Sequence, residues 1–207
     1  MKGLIKKDLF IIKNNLKIIL ILFIVFFLTG LKNSTDMSYI PITLSVVLFL
    51  STFSYDEFNK WDAYAITLPN GRINIVKSKY VATIILVVIT SLISLILNLL
   101  IGYINNSLNF EEIISMLTGI TFSIILIQSI SYPIIFKFGI EKGRLLLFAS
   151  IFIIISLISL IPVSLNIPSN IILFIEKYWL ILLALLTSIV LSISYLISKK
   201  IYLKKEF

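Results

Sequence analysis

Charged residues are clumped along this chain, and six uncharged intervals run between the clumps: 18 to 31, 37 to 55, 80 to 110, 113 to 136, 145 to 175 and 178 to 198. A hydrocarbon core about 30 Å thick is crossed by a helix of roughly 20 residues, which most of these intervals supply. The first is short, but Lys17 can snorkel and let the helix start near Asn14. The pattern predicts six transmembrane helices near 15–32, 38–55, 80–104, 112–136, 145–163 and 178–198, forming one all-α polytopic domain over 1–207. No small-residue cleavage pattern follows residues 28–31, so the first interval reads as a span and not as a signal peptide.

Composition agrees. Of 207 residues 59% are hydrophobic and 14% charged, and the mean hydropathy is +1.09. Water-soluble domains carry about 25% charged residues, so that class is excluded. The chain has no Cys and no His, which removes disulfides, thiolate catalysis, Cys-based metal sites and the commonest general base. No residue set reads as catalytic or metal-binding. The net charge of +8 speaks of topology and anionic lipid, and not of nucleic acid.

Sorting the basic residues by side gives the orientation. The N-terminus, the loop after the second span, the loop after the fourth and the tail hold 16 of the 18, leaving Lys32 and Lys177 on the other side. By the positive-inside rule both termini are cytoplasmic. Connections on the outer side are short, at 33–37, 105–111 and roughly 164–177. Action is thus expected within the bilayer or at its inner face.

The longest connection, 56–79, is cytosolic in this scheme. At 100° per residue Phe58, Trp61, Ala65 and Leu68 fall on one stripe, with Glu57 and Tyr64 at its edge and Asp56, Asn59, Lys60 and Thr67 opposite. Pro69, Asn70 and Gly71 then end the helix and turn the chain. This predicts a short amphipathic helix, Asp56 to Leu68, that either rests among headgroups or docks on a cytosolic partner through aromatic anchors. A second amphipathic element precedes the first span. There Lys2, Lys6, Lys13 and Lys17 share a face beside Ile5, Leu9, Ile12 and Leu16, as in a polybasic helix lying in the interface.

No Asp, Glu, Lys or Arg lies deep in a span, whereas ion-coupled transporters usually keep one there. The uncharged polar groups Ser91, Ser94 and Asn98 in the third span and Gln128 in the fourth are candidates for a substrate path, the alternative being interhelical hydrogen bonding. Pro133 is expected to kink the fourth span. None of the seven glycines opens a phosphate-binding loop of the form G-x-x-x-x-G-K-[ST]. A transporter lacking both coupling ion site and nucleotide site is passive or borrows its energy from a partner.

The start Met-Lys-Gly-Leu-Ile-Lys-Lys-Asp-Leu, and the run from Phe53 to Glu57 through Trp61, Tyr64, Thr67-Leu68-Pro69, Arg72, Val76 and Lys79-Tyr80, resemble the small six-span ABC-2 type permeases of low-GC Gram-positive bacteria. Within that group the chain is most similar to exporters of amphipathic, phenol-soluble-modulin-type peptides. The resemblance implies two permeases, copies or paralogues, paired with two cytosolic ATPases in a bacterial cell membrane. ATP and Mg would be held by the ATPases, with no cofactor on this chain. The connection between spans two and three would be a coupling helix, with Glu57, Phe58, Trp61, Tyr64 and Leu68 docking on the ATPase, Arg72 and Lys79 as flanking basic contacts, and Lys137 to Arg144 as a second contact. Asn70-Gly71 departs from the usual apolar residue and serine, which leaves the turn geometry open. Two other classes share some of these features. A substrate-capture subunit of a vitamin-type uptake system usually has a small-xxx-small seam in its first span, and Ile18 to Leu31 is bulky except at Thr29 and Gly30. A membrane enzyme needs clustered catalytic groups, which only Asp56, Glu57 and Asp62 approach.

Overall fold

A computed structural model describes residues 2–14, 21, 24–25, 28, 39–65, 67–68, 70–106, 108–146, 148–149 and 169–205. Regular structure among them is helical throughout: α1 (Lys2–Asn14), α2 (Tyr39–Phe58), α3 (Trp61–Ala65), α4 (Gly71–Ile104), α5 (Phe110–Phe138) and α6 (Ser169–Lys204). Among the described residues three stretches are long and apolar enough to cross a membrane, α4, α5 and Lys177–Lys204 of α6. They contain the expected spans 80–104, 112–136 and 178–198, and α2 covers 39–55 of the expected 38–55. The expected first and fifth spans fall largely outside the described residues, so a total of six and their sidedness stay expectations.

The three long helices carry their apolar residues outward as well as inward. Val88, Leu92, Ile96 and Leu100 recur at every fourth position of α4 and are all exposed, as are Leu185, Ile189 and Ile193 on α6. Such ridges would drive a soluble protein to aggregate, whereas in a bilayer they meet lipid tails at no cost. Since hydrocarbon offers no gain for burying leucine, the helices are held by close packing and hydrogen bonds. At Gly119 on α5 an added Cβ would lie 2.7 Å from Cη2 of Trp179 on α6. Gly119→Leu is therefore expected to separate α5 from α6 and to lower the thermal midpoint of the detergent-solubilised protein by several degrees, with Gly119→Leu/Trp179→Ala recovering part of the loss.

Pro133 lies inside α5 and cannot donate to the carbonyl of Ser129 four residues before it. The freed oxygen accepts instead from the hydroxyl of Ser194 on α6. Ser194 Oγ also lies 2.6 Å from the hydroxyl of Tyr80 on α4, which reaches Ser198 at 2.9 Å. The expected kink site is thus a three-helix polar joint. Around it gathers the main core, with Phe49 and Phe53 of α2, Ile75, Val76 and Tyr80 of α4, Tyr132, Ile135 and Phe136 of α5 and Tyr202 of α6. Tyr80 stacks on Tyr132 with ring centres 3.8 Å apart, and Phe136 meets Tyr202 edge-on at 5.3 Å. All four helices thus pack together at the end of the bundle where α2 finishes and α4 begins.

Candidate functional site

The candidate site is built on that end, and the chain does not enter it as the hydrophobic stripe predicts. One continuous helix from Asp56 to Leu68 is not formed. The α2 helix runs on from its apolar stretch to Phe58, Lys60 adopts a left-handed backbone (φ 49°), and α3 restarts at Trp61 for five residues. The break divides the stripe. Ala65 is fully buried and Trp61 half-buried against the core, while Phe58 (87% exposed), Tyr64 and Leu68 face outward. Asp56, expected on the solvent side, is buried. Its displacement has a physical reason: a helix continuing the α2 phase points residue 56 at α4, and an acid there is tolerated because a cation waits for it.

That cation is Lys79, which is 3% exposed. Its Nζ lies 2.6 Å from Asp56 Oδ2 and 3.0 Å from Asp8 Oδ1 of α1, and donates to the carbonyl of Thr52 at 3.2 Å. Lys7 completes the group by pairing with Asp56 and approaching Asp8 at 3.2 Å. Two ammonium groups and two carboxylates thus neutralise one another in a site closed by aromatic faces. Lys79 Nζ sits 4.7 Å above the centre of the Phe53 ring, and Lys7 Nζ 4.7 Å above that of Trp61. Burying a charge is costly without a partner, so this arrangement fixes the position of α1 on α2 and α4. The sequence reading treats Lys7 and Asp8 as part of a free interfacial helix and misses the cluster. Its signal is faint but present: Asp8 is the sole acid of the first 35 residues, and Asp56 and Lys79 each border an uncharged interval.

Glu57 makes a second joint. Its Oε2 accepts the backbone N–H of Ile140 at 2.7 Å, capping the helical residues 140–146 that follow α5. Gly139 before them has φ 80°, and a Cβ there would lie 3.1 Å from Glu57 Oε1, so both backbone and space call for glycine. Arg144 reaches back to Ser54 Oγ at 2.5 Å. The two connections expected to contact a partner are therefore bonded to each other. A cavity of about 300 Å³ opens beside the joint, lined by Asp56, Glu57, Asp62, Lys79, Lys137 and Lys205 among others. Another of about 450 Å³ lies between α1 and the 61–74 segment, walled by Leu4, Lys7, Trp61, Tyr64, Leu68 and Asn74.

The remaining expected site residues are placed as follows. Arg72 donates to the carbonyl of Leu203 at 2.6 Å and so ties the start of α4 to the end of α6. Asn70 is left-handed (φ 55°), and Gly71 N–H bonds to Leu68 O at 2.8 Å, so the departure at Asn70-Gly71 is accommodated by asparagine's tolerance of that conformation. In the bundle, Ser94 and Asn98 are buried together on α4, with Asn98 Nδ2 donating to Ser94 O at 2.9 Å, while Ser91 is half-buried and returns its hydroxyl to Val88 O. Gln128 is buried elsewhere, beside Tyr80, Thr83, Ser129 and Tyr132 at a cavity of about 10 Å³, room for one water at most. The structure thus joins Ser94 to Asn98 and leaves Gln128 apart from them. The hydroxyl of Ser94 and the amide nitrogen of Gln128 have no hydrogen-bond partner among the described residues.

No curated protein and no solved structure matches the chain. A family model described as ABC-2 family transporter protein matches residues 3–203. That range includes α1 from Gly3, the α2–α4 connection with its ion cluster, and α6 up to Leu203, so every joint described above lies within it or at its edge. With helices long and apolar enough to cross a membrane and a match over nearly its full length, the chain belongs to the ABC-2 family of transporter membrane proteins and is a permease, not itself an ATPase.

Proposed function

We propose that this permease is the membrane subunit of an ATP-driven exporter of amphipathic peptides, of the phenol-soluble-modulin type, in a bacterial plasma membrane. It acts as a pair, with a second copy or a paralogue, on two cytosolic ATPases that hold the ATP and Mg. Six spans with both termini inside put the α2–α4 connection on the ATPase side. The observation that carries this reading is the outward-facing Phe58, Tyr64 and Leu68, on a segment whose start is bonded through Asp56 to α4 and through Glu57 to the 140–146 helix. An exposed aromatic ridge is what a partner pocket takes up, and the bonds of Asp56 and Glu57 are what turn its displacement into movement of helices. Glu57, Trp61, Arg72 and Lys79 then act behind the ridge as the linkage, and Phe58, Tyr64 and Leu68 are the contact.

The composition of the bundle supports this substrate class. Its interior offers serine, asparagine and glutamine but no charge at depth, and its outer faces are apolar, which suits a molecule that reaches the transporter through the bilayer. Ser91, Ser94, Asn98 and Gln128 are the polar groups such a peptide would meet once the helices part.

The test uses the ridge, because Trp61 is packed into the core and its loss would confound folding with docking. Phe58→Ala and Tyr64→Ala are each expected to weaken ATPase binding by about 2 kcal/mol, roughly 30-fold, in pull-downs with inserted permease. Lys60→Ala, exposed but off the ridge, should leave binding within a few-fold of wild type. Equal binding by all three variants assigns the ridge to the lipid surface.

A further inference from the structure

One helix in this structure packs inward on the bundle and turns outward a side with no protein neighbour among the described residues. Inward, α1 buries Leu4 and Asp8, and Lys7 reaches the ion cluster and the Trp61 ring. Outward, Lys2, Lys6 and Lys13 are exposed, together with Phe10 at 61%. At 100° per residue the three lysines lie within about 40° of arc, Phe10 borders them on one flank, and half-buried Ile5 and Leu9 border them on the other. No carboxylate shares this sector, since the sole acid of the first 35 residues is the inward-facing Asp8.

We propose that the outer face of α1 is a binding surface for the anionic headgroups of the surrounding bilayer, and that lipid held there stabilises the docking of α1 on the ion cluster. Charge complementarity selects the occupant: three ammonium groups in a row, flanked by apolar side chains, match a sheet of phosphates above acyl chains. Continuity places it, because α1 ends four residues before the uncharged interval 18–31, so its axis lies where the chain enters the membrane. A rigid helix bound on both sides links the two equilibria. Lipid that favours the docked position of α1 also favours the pairing of Lys7 and Asp8 with Asp56 and Lys79, and through Lys7 the seating of Trp61. Membrane charge would thus set how firmly the α2–α4 connection is held. This goes beyond the transport reading and does not depend on the ATPase.

The experiment uses the full-length permease, without ATPase, in nanodiscs of phosphatidylcholine with phosphatidylglycerol raised from none to about 40%, which spans the charge of an anionic leaflet. Two readouts are taken: phosphatidylglycerol retained after exchange into detergent with phosphatidylcholine, and the thermal midpoint. Each surface lysine contributes about fivefold in affinity for anionic lipid. The triple variant Lys2→Gln/Lys6→Gln/Lys13→Gln should retain at least fivefold less phosphatidylglycerol, and its midpoint should no longer rise with the phosphatidylglycerol fraction. Lys2→Arg/Lys6→Arg/Lys13→Arg should behave as wild type in both. Equal retention by the Gln triple and wild type overturns the proposal, as does equal stabilisation by phosphatidylglycerol. A separate pull-down with the ATPase decides the competing assignment: if the Gln triple loses the ATPase while keeping its lipid, the surface belongs to that partner and the lipid proposal fails. If wild type binds no ATPase but the lipid readouts hold, the coupling reading fails and this one stands.

Discussion

Lys79→Met is expected to cost about 3–5 kcal/mol of stability, the largest effect of any single substitution in this protein. It leaves Asp8, 1% exposed, and Asp56 with only Lys7 between them, so one carboxylate is buried without a cation. The consequence should concentrate at α1, whose buried Asp8 is paired within this cluster. In hydrogen exchange the amides of α1 should lose protection before those of α4, and the thermal midpoint in detergent should fall by many degrees. The double variant Lys79→Met/Asp8→Asn removes one charge of each sign and is expected to regain a clear part of the loss, because an uncompensated buried charge is worse than a neutral pair. Unchanged protection of α1 in Lys79→Met would mean that lipid alone holds the helix.

Glu57→Ala is expected to separate ATP hydrolysis from transport while leaving ATPase binding intact. It removes the acceptor for Ile140 N–H, a charge-assisted hydrogen bond worth about 1.5–3 kcal/mol, and with it the bond between the two connections. Gly139→Ala attacks the same joint from the other side, since its φ of 80° strains any residue with a Cβ and that Cβ would press on the Glu57 carboxylate at 3.1 Å. Both variants should show near-normal pull-down of the ATPase and a several-fold fall in substrate transported per ATP hydrolysed in proteoliposomes. Glu57→Gln, which keeps an acceptor oxygen, should be milder. If Glu57→Ala instead abolishes pull-down, the carboxylate is itself a partner contact, as the family resemblance implies.

The long helices were legible because lipid enforces a local rule. A backbone in hydrocarbon must satisfy its own hydrogen bonds, so an uncharged run near 20 residues can hardly be anything but a helix, whatever its neighbours. The intervals from 80, 113 and 178 show this, and the family match agrees with it. The turn at Asn70-Gly71 was legible for a similar reason, being set by the conformational preferences of two adjacent residues.

The amphipathic stripe of the 56–68 segment was misread because periodicity assumes an unbroken helix, and nothing within a few residues of Lys60 announces its left-handed backbone. Where the helix breaks depends on what each half packs against: Asp56 is drawn to Lys79, 23 positions on, and Ala65 to the core of α2, α4 and α5. Glu57 was singled out from the sequence as a partner contact, yet its partner in the fold is a backbone N–H 83 residues away. The sequence by itself determined a membrane protein of apolar helices with its chemistry in one basic connection, because hydrophobic length and charge placement are properties of short stretches. Only the tertiary structure decided that Lys7, Asp8, Asp56 and Lys79 form one neutral cluster and that the two connections are joined, because pairing between distant charges depends on how helices cross and not on any spacing along the chain.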